Sequence, residues 1–163
     1  MEPPSPHRIE VVLEIELNLV NDSLRRAVDS ALCLQGAAPS EVTVLLTDDA
    51  RIQDLNRRYR GLDEATDVLT FPAEEIFDGE AADGDLAISV PYATRQAVRR
   101  GVPLETELAY LAIHGALHLC GLDDATEAEA DAMRRRMSLA AVAIGLPSDE
   151  HWGSLLHEET VPC

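Results

Sequence analysis

Apolar and polar residues alternate in part over residues 9–19 (IEVVLEIELNL), which predicts a strand. Residues 41–46 (EVTVLL) are rich in β-branched residues and predict a buried strand. Residues 67–71 (DVLTF, closed by Pro72) and 85–89 (DLAIS) give two more. Between them the pattern turns helical. Asn21 or Asp22 caps a helix to about Leu34, stopped by Gly36, and Thr47-Asp48-Asp49 caps a second to about Tyr59. Pro91 suits the first turn of a third, ending near Gly101. A fourth runs from about Leu104 to Cys120 and stops at Gly121. Thr126 with Glu129 three residues on forms a capping box, so a fifth runs from there to about Ile144. Residues 73–83 are acidic and read as an exposed loop. The order implies an α+β fold, a small mixed β-sheet of about four strands packed with about five helices. Neither a repeat nor a linker interrupts it. Residues 1–163 read as one domain, with a core over about 8–146 and a flexible tail over 147–163.

Composition changes this picture little. The chain has 163 residues, enough for one core, and only 4% are aromatic, so that core is aliphatic. There is no apolar run long enough for a membrane span, and the first residues lack a signal peptide's basic and apolar regions. Cys33, Cys120 and Cys163 are odd in number and far apart, which argues for a reducing, cytoplasmic setting. Charge matters more. The formal net charge is −17, which by itself opposes general nucleic-acid binding. It is unevenly spread, however. Arg51, Arg57, Arg58 and Arg60 fall close together, opposed there only by Asp54, which leaves a local basic patch open.

The candidate chemistry lies on the fourth helix. His114 and His118 are four residues apart, so their imidazoles stack on one face and can reach one zinc ion at about 2.0–2.1 Å. Gly121 lets the chain reverse. Asp124, three residues later, can swing back as a third ligand, with Asp123 the alternative. A helical histidine pair followed by a ligand beyond a glycine turn is the layout of metzincin-type sites, and three protein ligands leave a position for water. Ordinary helix histidines beside a solvated acidic turn are the competing reading. A zinc protease of the HExxH type carries its general base directly after the first histidine, where this chain has Gly115.

At this point three blocks resemble one family. HGALHLCGLDD (114–124) is similar to the H-G-x-L-H-L-x-G-Y-D-H pattern of the YbeY family of bacterial rRNA maturation endoribonucleases. LNRRYRGLDEATDVLTFP (55–72) and GDLAIS (84–89) resemble its second and third blocks, in the same order and at similar spacing. The resemblance implies a zincin-like metal-dependent hydrolase fold and single-strand endoribonuclease activity. It also implies rRNA maturation, including 16S rRNA 3′-end processing, and small-subunit ribosome quality control. The expected partners are ribosomal RNA, the small ribosomal subunit and its assembly factors, with no membrane. The family's zinc histidines fall on His114, His118 and, as a departure, Asp124. Its arginine linked to RNA processing falls on Arg60. The expected catalytic residues are therefore Arg60, His114 and His118, and the expected metal ligands His114, His118 and Asp124.

A carboxylate in place of an imidazole makes the site less positive, so water bound there is less acidic. It is also a harder ligand, which opens the site to Mn²⁺ or Mg²⁺ beside Zn²⁺. Asp67 and Asp85 open two strands and are candidates for a base or a supporting carboxylate. Asn56 and Thr66 read as braces of the loop before 67–71, and Arg57 and Arg58 as either a phosphate-tracking patch or a solvated face. The arginine pairs and triplets at 99–100 and 134–136 read as solvated helix faces, Cys120 as core, and His7 as without a partner. Two rival functions stand beside the nuclease: a ribosome-assembly factor with a structural metal, and a small zinc peptidase.

Overall fold

Alternate positions of 41–46 carry valine and leucine, and that side of the strand is where the core forms. The computed structural model describes residues 5–18, 21–74 and 79–153. In it β2 (Glu41–Thr47) buries Val42, Val44 and Leu46, and β4 (Gly84–Ser89) buries Leu86 and Ile88 against the same core. These two are the central strands. β1 (Arg8–Leu13) flanks β2, and β3 (Val68–Pro72) flanks β4, giving the order β1-β2-β4-β3. β1, β2 and β4 run parallel and β3 antiparallel, the mixed sheet expected from the sequence.

Parallel neighbours need crossovers. α1 (Asn21–Leu34) provides the first and buries Leu24, Ala27, Val28, Ala31 and Leu32 in the main core. α2 (Asp49–Arg60) lies on the opposite face, where Ile52 meets Leu69 and Ala87 in a much smaller cluster. α3 (Val90–Arg100), α4 (Leu104–Leu119) and α5 (Glu127–Ala143) follow, the last opened by the Thr126–Glu129 capping box. α4 sits inside, against α1, α3, α5 and the sheet. From Glu107 to Cys120 every residue is buried except His114 and His118. A helix apolar on nearly every side belongs in a core. Its two less buried positions are the histidines.

Two boundaries differ from expectation. The first strand ends at Leu13, although apolar residues continue to Leu17. Leu13 pairs with Leu46, and β2 stops one residue later where Asp48 caps α2, so no neighbouring strand remains. Ile15 and Leu17 instead pack on the core as irregular chain. The second difference is the tail. Residues 147–153 pack back on the domain: Tyr110 Oη donates to the Pro147 carbonyl at 2.6 Å, the Asp149 amide donates to Ser138 Oγ at 2.9 Å, and Trp152 is 3% exposed. Residues 154–163 lie outside the described residues.

At Gly84, β4 lies close to both β3 and α4. A Cβ there would lie 2.6 Å from the Phe71 carbonyl oxygen and 2.8 Å from Leu119 Cδ2. Backbone cannot yield as a side-chain tip can, so Gly84→Ala is expected to destabilise by about 2 kcal/mol, within the usual cost of overpacking. A lower urea midpoint with unchanged slope checks this.

Candidate metal centre

The 3.6-residue repeat places His114 and His118 one above the other near the end of α4, with side chains 17% and 23% exposed. Their Nε2 atoms are 3.1 Å apart. Gly121, at φ 93°, reverses the chain, and its amide closes on the His118 carbonyl while the Leu122 amide closes on the Leu117 carbonyl. That reversal returns Asp124 to the helix, its Oδ2 3.6 Å from each histidine Nε2. Asp123 serves the turn instead, its Oδ1 accepting the Asp124 amide at 2.8 Å. Tetrahedral zinc with bonds of about 2.0–2.1 Å holds its ligand atoms about 3.3–3.4 Å apart. The three edges bracket that value, so the donor set fits one such ion.

Hydrogen bonding also orients these side chains. His118 Nδ1 lies 3.0 Å from the Leu122 carbonyl oxygen, which can only accept. The ring proton therefore sits on Nδ1, and the Nε2 lone pair faces His114 and Asp124. Burial, followed by the neighbouring His118, pushes the His114 pKa down and keeps the ring neutral. Burial opposes protonation of His118 as well, but the Asp124 carboxylate, the Leu122 carbonyl and Asp123 outweigh it, and its pKa rises. Asp124 is held below the usual carboxylate range by the His118 ring, against its partial burial.

His7, Asp29 and Cys33 form a second group whose donor atoms lie within 4.8 Å of one another and which could hold a metal ion. Its chemistry fits less well. The Ser40 amide donates to His7 Nδ1 at 3.1 Å, so the neutral ring carries its proton on Nε2, the atom that would have to face the ion. His7 does have a partner, and that partner ties the chain ahead of β1 to the residue before β2.

The first group opens into a cleft of about 450 Å³ lined by Asn56, Arg60, Glu64, Asp67 and Thr70 among others. Arg60 Nη2 donates to the Thr70 carbonyl at 2.6 Å, bonding to neither Asp63 nor Asp67, and its guanidinium lies 5.9 Å from the Phe71 ring. It is the one basic side chain lining the cleft among the described residues. Arg57 and Arg58 share the single Asp54 at 2.7 and 3.1 Å, and Arg51 lies 3.7 Å from Glu14, so two carboxylates offset part of the basic patch read from the sequence. Asp67 is buried at the cleft and accepts from the Val68 amide, whereas Asp85 lines a groove with Tyr59 and Phe71 instead. Asn56 braces the loop, donating to the Glu64 carbonyl at 2.9 Å. A Cβ on Gly115 would meet Leu86 and Thr70, so that position faces the sheet and no side chain there could act as base. Cys120 is buried, which pushes its thiol up to about 11.

Sequence reasoning missed the far side of the centre. Glu107 is 1% exposed and accepts from Arg100 Nε at 2.7 Å, Trp152 Nε1 at 3.0 Å and Gln96 Nε2 at 3.3 Å. Arg100 is thus paired and largely buried, not part of a solvated face. The readable signal was spacing: positions 107, 114 and 118 form one polar stripe on an apolar helix. Trp152 gave none.

The Endoribonuclease YbeY family profile matches residues 9–142. An "Endoribonuclease YbeY" of Moorella thermoacetica is 44% identical over 134 residues, covering 76% of this chain and 86% of the relative. One of Desulfitobacterium hafniense is 47% identical over 115 residues, covering 66% and 73%. The solution structure of TM1509 from Thermotoga maritima superposes with a TM-score of 0.57 at 25% identity, over 83% of this chain and 91% of that one. With the family profile spanning most of the chain, and with relatives this similar over most of their length, the chain belongs to the YbeY endoribonuclease family.

Proposed function

We propose that this chain is a metal-dependent, single-strand-specific endoribonuclease that matures ribosomal RNA, including the 16S rRNA 3′ end, and serves quality control of the small ribosomal subunit. The observation that carries the reading is the triangle of His114 Nε2, His118 Nε2 and Asp124 Oδ2 at the floor of an open cleft, with the tautomer of His118 already set for an ion. Zinc is the ion of choice for two imidazoles and a carboxylate, with Mn²⁺ as the harder alternative. Structural zinc sites close with four protein donors; this group offers three and faces a cleft, which supports catalysis over a purely structural metal. Gly115 facing the sheet speaks against a peptidase of the HExxH type.

A divalent ion held here would supply Lewis acidity toward a phosphodiester and lower the pKa of nearby water. The protein's own residues do the rest. His118 is kept in register by Leu122, and Asp124 is delivered by the Gly121 reversal. Arg60, fixed at the cleft edge by the Thr70 carbonyl, keeps further N–H donors for a phosphate oxygen as negative charge develops. The cleft also carries Glu64, Asp67, Asp123 and Asp124 against the single Arg60, so without a cation it repels phosphate.

His114→Ala and His118→Ala are each expected to abolish zinc binding and cleavage of a single-stranded rRNA fragment. Cleavage by His114→Ala at the unmodified rate in chelator would refute the mechanism. Arg60→Ala is expected to lower kcat by about 10²-fold, as for loss of one oxyanion donor, with zinc affinity unchanged; kinetics and a chelator competition separate the two. Chelation is expected to weaken RNA binding as well as cleavage, read by fluorescence anisotropy. The pH dependence follows from His118. Its raised pKa means that a proton must leave before an ion binds, so apparent zinc affinity falls about tenfold per unit as pH drops through that value. Calorimetry at several pH values checks the slope.

A further inference from the structure

The two histidines are oriented by different means. His118 has a hydrogen bond on its Nδ1, but His114 Nδ1 is buried and has no hydrogen-bond partner among the described residues. Ligand imidazoles are ordinarily held by such a bond, so something else must fix the His114 ring. The Trp152 indole lies against it, ring centroids 5.3 Å apart at 43°.

Trp152 is itself closely held. It stacks on Tyr110 at 6.3 Å and 20°, one turn before His114 on α4, and the Arg100 guanidinium lies 5.2 Å from its ring. Its Nε1–H donates to buried Glu107, and Arg100 Nη2 donates to the carbonyl of the next residue, Gly153, at 2.6 Å. Gln96 Nε2 joins Glu107 to Asp67 in the cleft, at 3.3 and 3.4 Å. The segment at 147–153 therefore straps across α4 and sets the Trp152 indole against His114. It lies past the residues that match the family profile, which end at 142.

We propose that Trp152, carried by this strap, is a positioning residue for His114: packing of the indole replaces the missing Nδ1 hydrogen bond and aims Nε2 at the ion. The inference rests on His114, His118 and Asp124 being the metal ligands.

The test uses the one tryptophan in the chain as its own probe. Zinc titrated into the metal-stripped full chain is expected to change Trp152 emission and to saturate at one equivalent, with a chelator competition giving the affinity. Trp152→Ala is expected to lower that affinity about 10- to 100-fold, the usual effect of removing a support behind a ligand, while Trp152→Phe, which keeps a ring wall, restores most of it. Equal affinity in the unmodified and Trp152→Ala proteins, with only a lower Tm, overturns the proposal and leaves the metal centre standing. Should Trp152→Ala fail to fold, the unmodified protein still decides: emission unmoved while the competition shows zinc bound also overturns it. No zinc binding by the unmodified chain refutes the metal reading, and this inference with it.

Discussion

The burial of α4 is the constraint on which the rest of the structure depends. Its apolar residues point in every direction, so it needs cover from the sheet, α1, α3 and α5 at once. Once covered, it leaves only His114 and His118 less than buried over its last turns. A polar pair at that place on such a helix has to face a cleft or be matched by buried partners. The sheet edge at β3, the end of α2 with the loop after it, and the turn after Gly121 make the cleft.

Close packing also explains what the site lacks. The helix approaches the sheet through Gly115 and Gly84, with no space for a Cβ at either without movement. A base on the helix beside the first histidine is thereby excluded by sterics. The other polar groups at the cleft come from elsewhere: Asp124 from the turn after α4, Arg60 from the end of α2, Asp67 from just before β3. Each is carried by a different segment, so the cleft exists only when the whole sheet is assembled.

Electrostatics gives the acidic chain a local answer to an anionic substrate. Of the arginines of α2 that look like a patch, three point to Asp54 and Glu14, and only Arg60 reaches the cleft. A cation held at the histidines would then be the main source of positive potential, and binding and chemistry would depend on the same ion. On the far side, Glu107 is buried but paired with Arg100 and further hydrogen-bonded, the condition under which a buried charge is tolerated.

Local chemistry made much of this legible. Four strands, five helices and their caps follow from periodicity, glycine stops and the Thr126–Glu129 box, because those signals act within a few residues. The His114–His118 pair and its offset to Asp124 are likewise short-range, and the three blocks at 55–72, 84–89 and 114–124 carried the family. Other features required the chain to be folded. The end of β1 depends on where β2 stops, a partner more than thirty residues away. That Asp124 rather than Asp123 lies beside the histidine nitrogens depends on which way a turn faces once Gly121 has reversed it. The protons on His118 and His7 depend on whether a carbonyl or an amide meets Nδ1. Trp152, in what the sequence reads as a flexible tail, is buried where Glu107, Arg100 and Tyr110 converge on it. Patterns along a chain report which face of an element is apolar; which distant group completes a hydrogen bond, a pair or a wall is decided by packing in three dimensions.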